Sequence, residues 1–161
     1  MSNLLERLRK YKDDRGMMAN LRCIFMESKK HRAWPVLNRL GVQIADEVSA
    51  YVAGLYATHP EETDNGDFGT TCKTIEQKRN ERQGDDSKLT PIERRFQHLL
   101  AADKEEVFGR VMRMVHMAKS QGVPVNYAQL EIDLKFWKRT KTKWAATFWH
   151  LDAKPVSGDG V

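Results

Sequence analysis

The sequence predicts an all-α protein of two small helical bundles joined by an acidic loop. Three observations carry that prediction. Apolar residues recur at helical spacing through nearly every segment, helix-start signals stand before several of them, and no segment alternates polar and apolar residues between hairpin turns. With 161 residues, 40% hydrophobic and 30% charged, the chain has a globular composition and enough length to bury a core. No internal repeat and no low-complexity tract interrupts it.

The elements follow in order. Leu4, Leu5, Leu8 and Tyr11 fit a short amphipathic opening helix. Asp14 is placed to cap a second, in which Met17, Leu21, Ile24 and Phe25 recur at the helical period. Trp34-Pro35 marks another start, since proline suits the first helical turn. Ile44, Val48, Tyr51, Val52 and Leu55 form the stripe of a further helix that ends before His59-Pro60. In the second half, Thr90-Pro91-Ile92-Glu93 reads as a capping box with proline at the first helical position, and Ile92, Phe96, Leu99 and Leu100 form the apolar face behind it. Asp103 and Glu106 repeat the capping logic before Val107, Val111, Met114, Val115 and Ala118, and Gly122 and Pro124 stop that helix. Asn126 and Gln129 cap another, with Leu130, Leu134 and Trp137 on one side. Trp144, Phe148 and Leu151 suggest a last helix before the tail AKPVSGDGV.

Charge divides the chain. Residues 1–58 carry ten Lys/Arg against six Asp/Glu, residues 59–87 four against eight, and residues 88–161 thirteen against eight. The expected organisation is therefore an N-terminal bundle over 1–58, an acidic turn-rich connection over 59–87 containing the surface loop HPEETDNGDFGTT, a C-terminal bundle over 88–152, and a mobile tail over 153–161. The N-terminal stretch MSNLLERLRKYKDD is charged throughout and does not read as a signal peptide, and no apolar run approaches eighteen residues. Cys23 and Cys72 are too few and too far apart for a disulfide framework or a zinc site, so the expected location is the cytoplasm.

Catalytic chemistry has no visible home. HExxH, CxxC, GxSxG and GxxxxGK[ST] are all absent. His31, His59, His98, His116 and His150 are scattered, and His98 and His116 lack an acidic or histidine partner one helical turn away. Glu105 and Glu106 are adjacent, point about 100° apart on a helix, and suit a first turn rather than an acid–base pair. The seven methionines read as core filler. The expectation is a protein that is not an enzyme, with no catalytic residue, metal or cofactor.

The basic residues carry more information. Arg110 follows Glu106 by four positions, which fits a helix-surface ion pair. Arg113 finds Gly109 and Met117 at the same spacing, and Arg94 and Arg95 have no acid one turn before them, so all three lack a local counter-charge. The run KRTKTK supplies Lys138, Arg139, Lys141 and Lys143 between Trp137 and Trp144, with only Glu131 and Asp133 upstream. Tryptophans packed on either side would fix where the run points, and cations held along one line match a phosphate backbone without reading bases. The competing reading is a solvated face, or a helical module whose basic surfaces bind acidic proteins. A helix-turn-helix regulator lacks the polar, base-reading second helix.

The segments "DDRGMMANLRC", "AWPVLNRLG", "VAGLYATHP", "GDFGTT", "PIERRFQHLLAAD", "VNYAQLEIDLKFW" and "KWAATFW" follow one another, over roughly residues 11 to 149, as in one family. The chain resembles CasB, the small subunit of the type I-E CRISPR surveillance complex Cascade. The resemblance implies an all-helical, non-catalytic subunit that acts in antiviral defence and contacts the backbone subunits, the large subunit and a second copy of itself. Its basic surfaces would hold crRNA and target DNA, including the displaced strand of the R-loop. Base pairing would supply sequence there, and protein the charge and shape. Position by position, Arg15 and Arg22 match the basic residues of the Asp-Arg-Gly and Leu-Arg segment. Arg94 and Arg95 match the Glu-Arg-Arg pair, Arg113 the arginine of the next helix, and Lys138 and Arg139 the basic residues after an aromatic helix end. Lys29, Lys141 and Lys143 join them as candidate nucleic-acid contacts. Arg15 and Arg95 are the two expected to bridge helices instead. The family often has arginine where this chain has Thr70, which leaves open whether Lys73 replaces it.

Overall fold

The computed structural model describes residues 3–81 and 87–150. These residues fold into α1 (Leu4–Lys10), α2 (Arg15–Arg22), α3 (Trp34–Arg39), α4 (Glu47–Thr58), α5 (Phe68–Arg79), α6 (Pro91–Leu100), α7 (Val107–Gln121), α8 (Tyr127–Lys135) and α9 (Trp137–Trp149), with 3₁₀ turns at Cys23–Phe25 and Lys30–Arg32. The expected all-helical class is the one adopted. A lone parallel bridge between Glu62 and Val125 is the β-type pairing present among the described residues. None of the described helices is long and apolar enough to cross a membrane.

Helix starts are set by side chains that satisfy the free N–H groups of the first turn. Asp14 accepts the Met17 amide, Asp46 that of Ser49, and Asn126 that of Gln129. Thr90 and Glu93 form the reciprocal box expected of them. Asp103 accepts the Glu105 and Glu106 amides at 3.0 and 2.9 Å, one turn ahead of α7. Gly122 closes α7 at φ 68°, a left-handed position that a Cβ would disfavour.

Three stretches differ from expectation. Ile44 is 56% exposed and precedes α4 rather than joining its stripe. That helix is no amphipathic stripe either: from Ser49 to Thr58 only Tyr51 is not fully buried. Residues 59–87, expected as a turn-rich connection, contain the whole of α5. Asp67 and Thr70 cap that helix reciprocally, and it places Phe68, Cys72 and Ile75 in the core. Trp137 opens α9 instead of continuing α8, because the chain breaks at Phe136 (φ −121°, ψ 45°). Leu151 and the tail 153–161 lie outside the described residues.

One continuous cluster of buried side chains runs from Leu4 to Phe148. Helix α4 sits at its middle, packed on α1 and α2 from its own half and on α7 and α8 from the other. Polar groups stitch the same seam. The Tyr127 hydroxyl donates to the carbonyls of His59 and Leu55, the His59 ring meets the Val123 carbonyl at 2.7 Å, and the Ser49 hydroxyl donates to the buried Glu131 carboxylate at 2.9 Å. Across α5 and α9 the backbones approach so closely that a Cβ on Gly69 would lie 2.6 Å from the Trp144 carbonyl oxygen. Only glycine fits there.

Candidate nucleic-acid interface

The run KRTKTK forms the first half of α9. Helical geometry turns Trp137, Thr140, Trp144 and Phe148 inward, and all four are buried. Three tryptophans fix the helix to its neighbours through their indole N–H groups. Trp137 donates to the Ala102 carbonyl, Trp144 to the Asp133 carboxylate and Trp149 to that of Glu93, each at 2.9 Å. The basic residues therefore project from a rigidly seated helix.

They do not form one line. At about 100° per residue, Lys138 and Lys141 share one ridge of α9 and Arg139 and Lys143 another. Lys143 is drawn toward Asp133, its ammonium 3.9 Å from a carboxylate that is 1% exposed. Lys138, Arg139 and Lys141 instead line a groove of about 570 Å³ with Lys104, Lys135, Asp103, Phe136 and Trp137. The Arg139 guanidinium lies 5.0 Å from the centre of the Phe136 ring, and the Lys141 ammonium 5.6 Å from that of Trp137. Lys138 makes no ion pair among the described residues. Helix α9 also begins without a side-chain cap and with no acid in its first turn. Cations at that end oppose the helix dipole at a cost of roughly 0.3–1 kcal/mol each, which a bound anion would reverse.

A second basic site lies between α6 and α7. Arg94, Arg95, His98, Arg110, Arg113 and Met114 line a cleft of about 210 Å³. Arg110 is its fixed wall, donating to the His98 carbonyl and lying 3.4 Å from the Glu106 carboxylate, so the ion pair expected from spacing forms. Arg94, Arg95 and Arg113 are exposed and have no acidic partner among the described residues. The helices bring these three together although more than fifteen positions separate the pair from Arg113.

The N-terminal candidates are less concentrated. Arg22 donates from Nη1 to the Ala57 carbonyl at 3.0 Å, at the C-terminal end of α4, and so ties α2 to α4. Arg15, Arg95 and Lys29 are exposed, and their side chains make no hydrogen bond or ion pair among the described residues. The bridging role expected of Arg15 and Arg95 thus falls to Arg22, Arg110, Arg7 (on the Leu40 carbonyl) and Arg9 (on Glu62). Those four reach an acceptor across a turn of chain that sequence spacing does not reveal. Thr70 is occupied in the α5 cap, and Lys73 pairs with buried Glu76 at 2.9 Å. Neither offers a free charge at the position where the resemblance leads one to expect arginine.

Other chemistry is sparse. Among the described residues no three His, Cys, Asp or Glu side chains converge on a point that could hold a metal ion. Burial pushes the Cys72 thiol well above its usual range, and the Tyr127 phenol likewise. Both stay neutral and inert at physiological pH. Sequence spacing missed Lys104, Lys135 and Phe136 as site residues, because three separate elements assemble the α9 groove, and His98, because the packing of α6 on α7 forms its cleft. The one local signal was a second aromatic, Phe136, beside Trp137 in the stretch KFWK.

Comparison with known proteins points to one family. The family described as CRISPR-associated protein Cse2 matches residues 5–149. No curated protein sequence matches significantly. Among solved structures, a Cse2-family protein from Thermus thermophilus aligns over 92% of this chain and 96% of its own, at 20% identity and a TM-score of 0.71. CasB from Thermobifida fusca aligns over 90% and 94%, at 17% identity and a TM-score of 0.65. CasB from M. ruber aligns over 93% and 85%, at 24% identity and a TM-score of 0.56. The helical fold, the order of its motifs and the extent of the family match together establish that this chain belongs to the Cse2 (CasB) family of CRISPR-associated proteins.

Proposed function

We propose that the protein is a non-catalytic small subunit of a cytoplasmic, type I-E CRISPR RNA-guided surveillance complex, and that its basic surfaces hold crRNA and target DNA and stabilise the R-loop. The observation that carries this reading is the α6–α7 cleft, where three arginines without counter-charges face the same small volume. Mutual repulsion makes such a cluster unfavourable in an isolated chain. Phosphate relieves it and releases counterions. The α9 groove adds five cations, of which Lys135 pairs with Glu131 at 3.7 Å, against Asp103. Neither site is lined by a side-chain amide, and both are dominated by cations, which suits contacts to the phosphate backbone.

A different surface suits protein partners. Asp46, Glu47, Asp103 and Glu105 line a groove of about 580 Å³ against one cation, Lys104, with Val48, Phe108 and Leu134. Its acidity repels phosphate and fits a basic patch on another subunit, such as a backbone subunit, the large subunit or a second copy. The test of the main reading is a complex rebuilt with the Arg94→Ala/Arg95→Ala/Arg113→Ala variant. Target-bound R-loops should dissociate faster at unchanged subunit content. Wild-type R-loop lifetime in a fully assembled complex would refute it.

A further inference from the structure

We propose that Phe136 is a stacking platform for an unpaired base, so that the α9 groove takes a single strand in preference to a duplex. This rests on the nucleic-acid reading above and assigns one of its surfaces a strand type. Of the six phenylalanines, Phe25, Phe68, Phe96, Phe108 and Phe148 are buried or half-buried, whereas Phe136 is 52% exposed. It stands at the backbone break between α8 and α9, inside a groove whose other walls are Lys104, Lys135, Lys138, Arg139 and Lys141. Trp137, which also lines the groove, is only 3% exposed and held by its indole bond, so that part of the wall is rigid.

Charge and shape select the occupant. Four cations besides Lys135, which pairs with Glu131, stand against Asp103 and call for a polyanion. A flat ring left half in water calls for a flat partner. The Arg139 guanidinium, which lies over that ring 5.0 Å from its centre, shows that the ring face already accepts a planar cation, and an incoming base takes the other face or displaces it. Unpaired bases offer free faces at the spacing of their phosphates, and stacking one on an aromatic side chain contributes about 1–3 kcal/mol without sequence preference. Duplex bases are already stacked on one another and present only their edges. The α6–α7 cleft is lined by no phenylalanine, tyrosine or tryptophan and offers only His98 and arginine planes to a base.

Fluorescence anisotropy tests the assignment on the full chain, with labelled single-stranded DNA, single-stranded RNA and duplex DNA of about a dozen nucleotides. Phe136→Ala should weaken binding of at least one of the two single strands about tenfold, within the range expected for one stacked base. Duplex affinity and the salt slope should stay as in wild type. Phe136→Trp should bind the single strand at least as tightly as wild type, and Phe136→Leu should resemble alanine, since apolar area without a π face does not stack. Equal loss on single strand and duplex, no loss on either single strand, or rescue by leucine would overturn the platform. Failure of the underlying reading looks different. Wild-type protein would then bind no nucleic acid at low salt, or Lys138→Ala/Arg139→Ala/Lys141→Ala would bind both forms like wild type.

Discussion

Removing Arg94, Arg95 and Arg113 together should change how binding responds to salt more than how the protein folds. All three are exposed and unpaired among the described residues, so their replacement by alanine takes away repulsion and leaves no buried group unsatisfied. The melting temperature should stay level or rise slightly. Each phosphate contact contributes a slope of about 0.7 to the logarithmic salt dependence for a single strand and about 0.9 for a duplex. Three contacts therefore account for roughly 2.1 and 2.7 slope units. Between roughly 50 and 200 mM salt, wild type should lose about 20-fold more affinity than the variant on a single strand, and about 40-fold more on a duplex. Anisotropy titrations across a series of KCl concentrations read this directly. Arg110→Ala is the matched control: its side chain is only 18% exposed and clamps α6 to α7. Its loss should cost about 1–2 kcal/mol of stability with little change in slope. An unchanged slope in the folded triple variant would refute the cleft as a phosphate site.

Further outcomes follow from the packing. Trp144→Ala should destabilise the fold by about 3 kcal/mol or more, measured by urea denaturation, through the cavity it leaves and the Asp133 oxygen it strands. Gly69→Ala should also be markedly destabilising in the same assay, because the obstructing atom is the Trp144 backbone oxygen and not a side chain that can swing away. A thiol reagent should label Cys23 in the native protein and Cys72 only after unfolding. Cys72 has a folded pKa raised by burial above its ordinary 9.0, so the stability held by its neutral form is complete below that value and is lost as pH rises through the folded pKa. Melting temperature should therefore fall in alkaline solution above about pH 9, and Cys72→Ala should flatten that fall.

The sequence disclosed those parts of the fold that local chemistry decides. Thr90, Asp14 and Asn126 announce helices because a short polar side chain before an apolar period has one good use. Helix α5 was hidden because its cap pairs Asp67 with Thr70, its first turn looks like a turn, and acidic residues surround it. Helix α4 gave a misleading stripe because a helix buried on all sides has no polar face to define one. At the site, the absence of counter-charges around Arg94, Arg95 and Arg113 was legible, since a helix brings only positions three and four away into reach. Their convergence on one cleft was not, because the α6–α7 packing creates it. Likewise the pull of Asp133 on Lys143 and the pinning of Arg22 depend on contacts between helices.

The burial of α4 on every side sets a problem for a chain emerging from the ribosome. When Thr58 is made, the surfaces of α7 and α8 that will cover this helix have not yet been synthesised. Lys135, the end of α8, follows Thr58 by 77 residues. At about 5–20 residues per second, that leaves the helix half-covered for roughly 4–15 s. A nascent N-terminal half should therefore recruit chaperones and be prone to association with its neighbours on a polysome. The same dependence makes the protein a natural split reporter: fragments divided within residues 82–86 should each be poorly structured alone and acquire helicity on mixing.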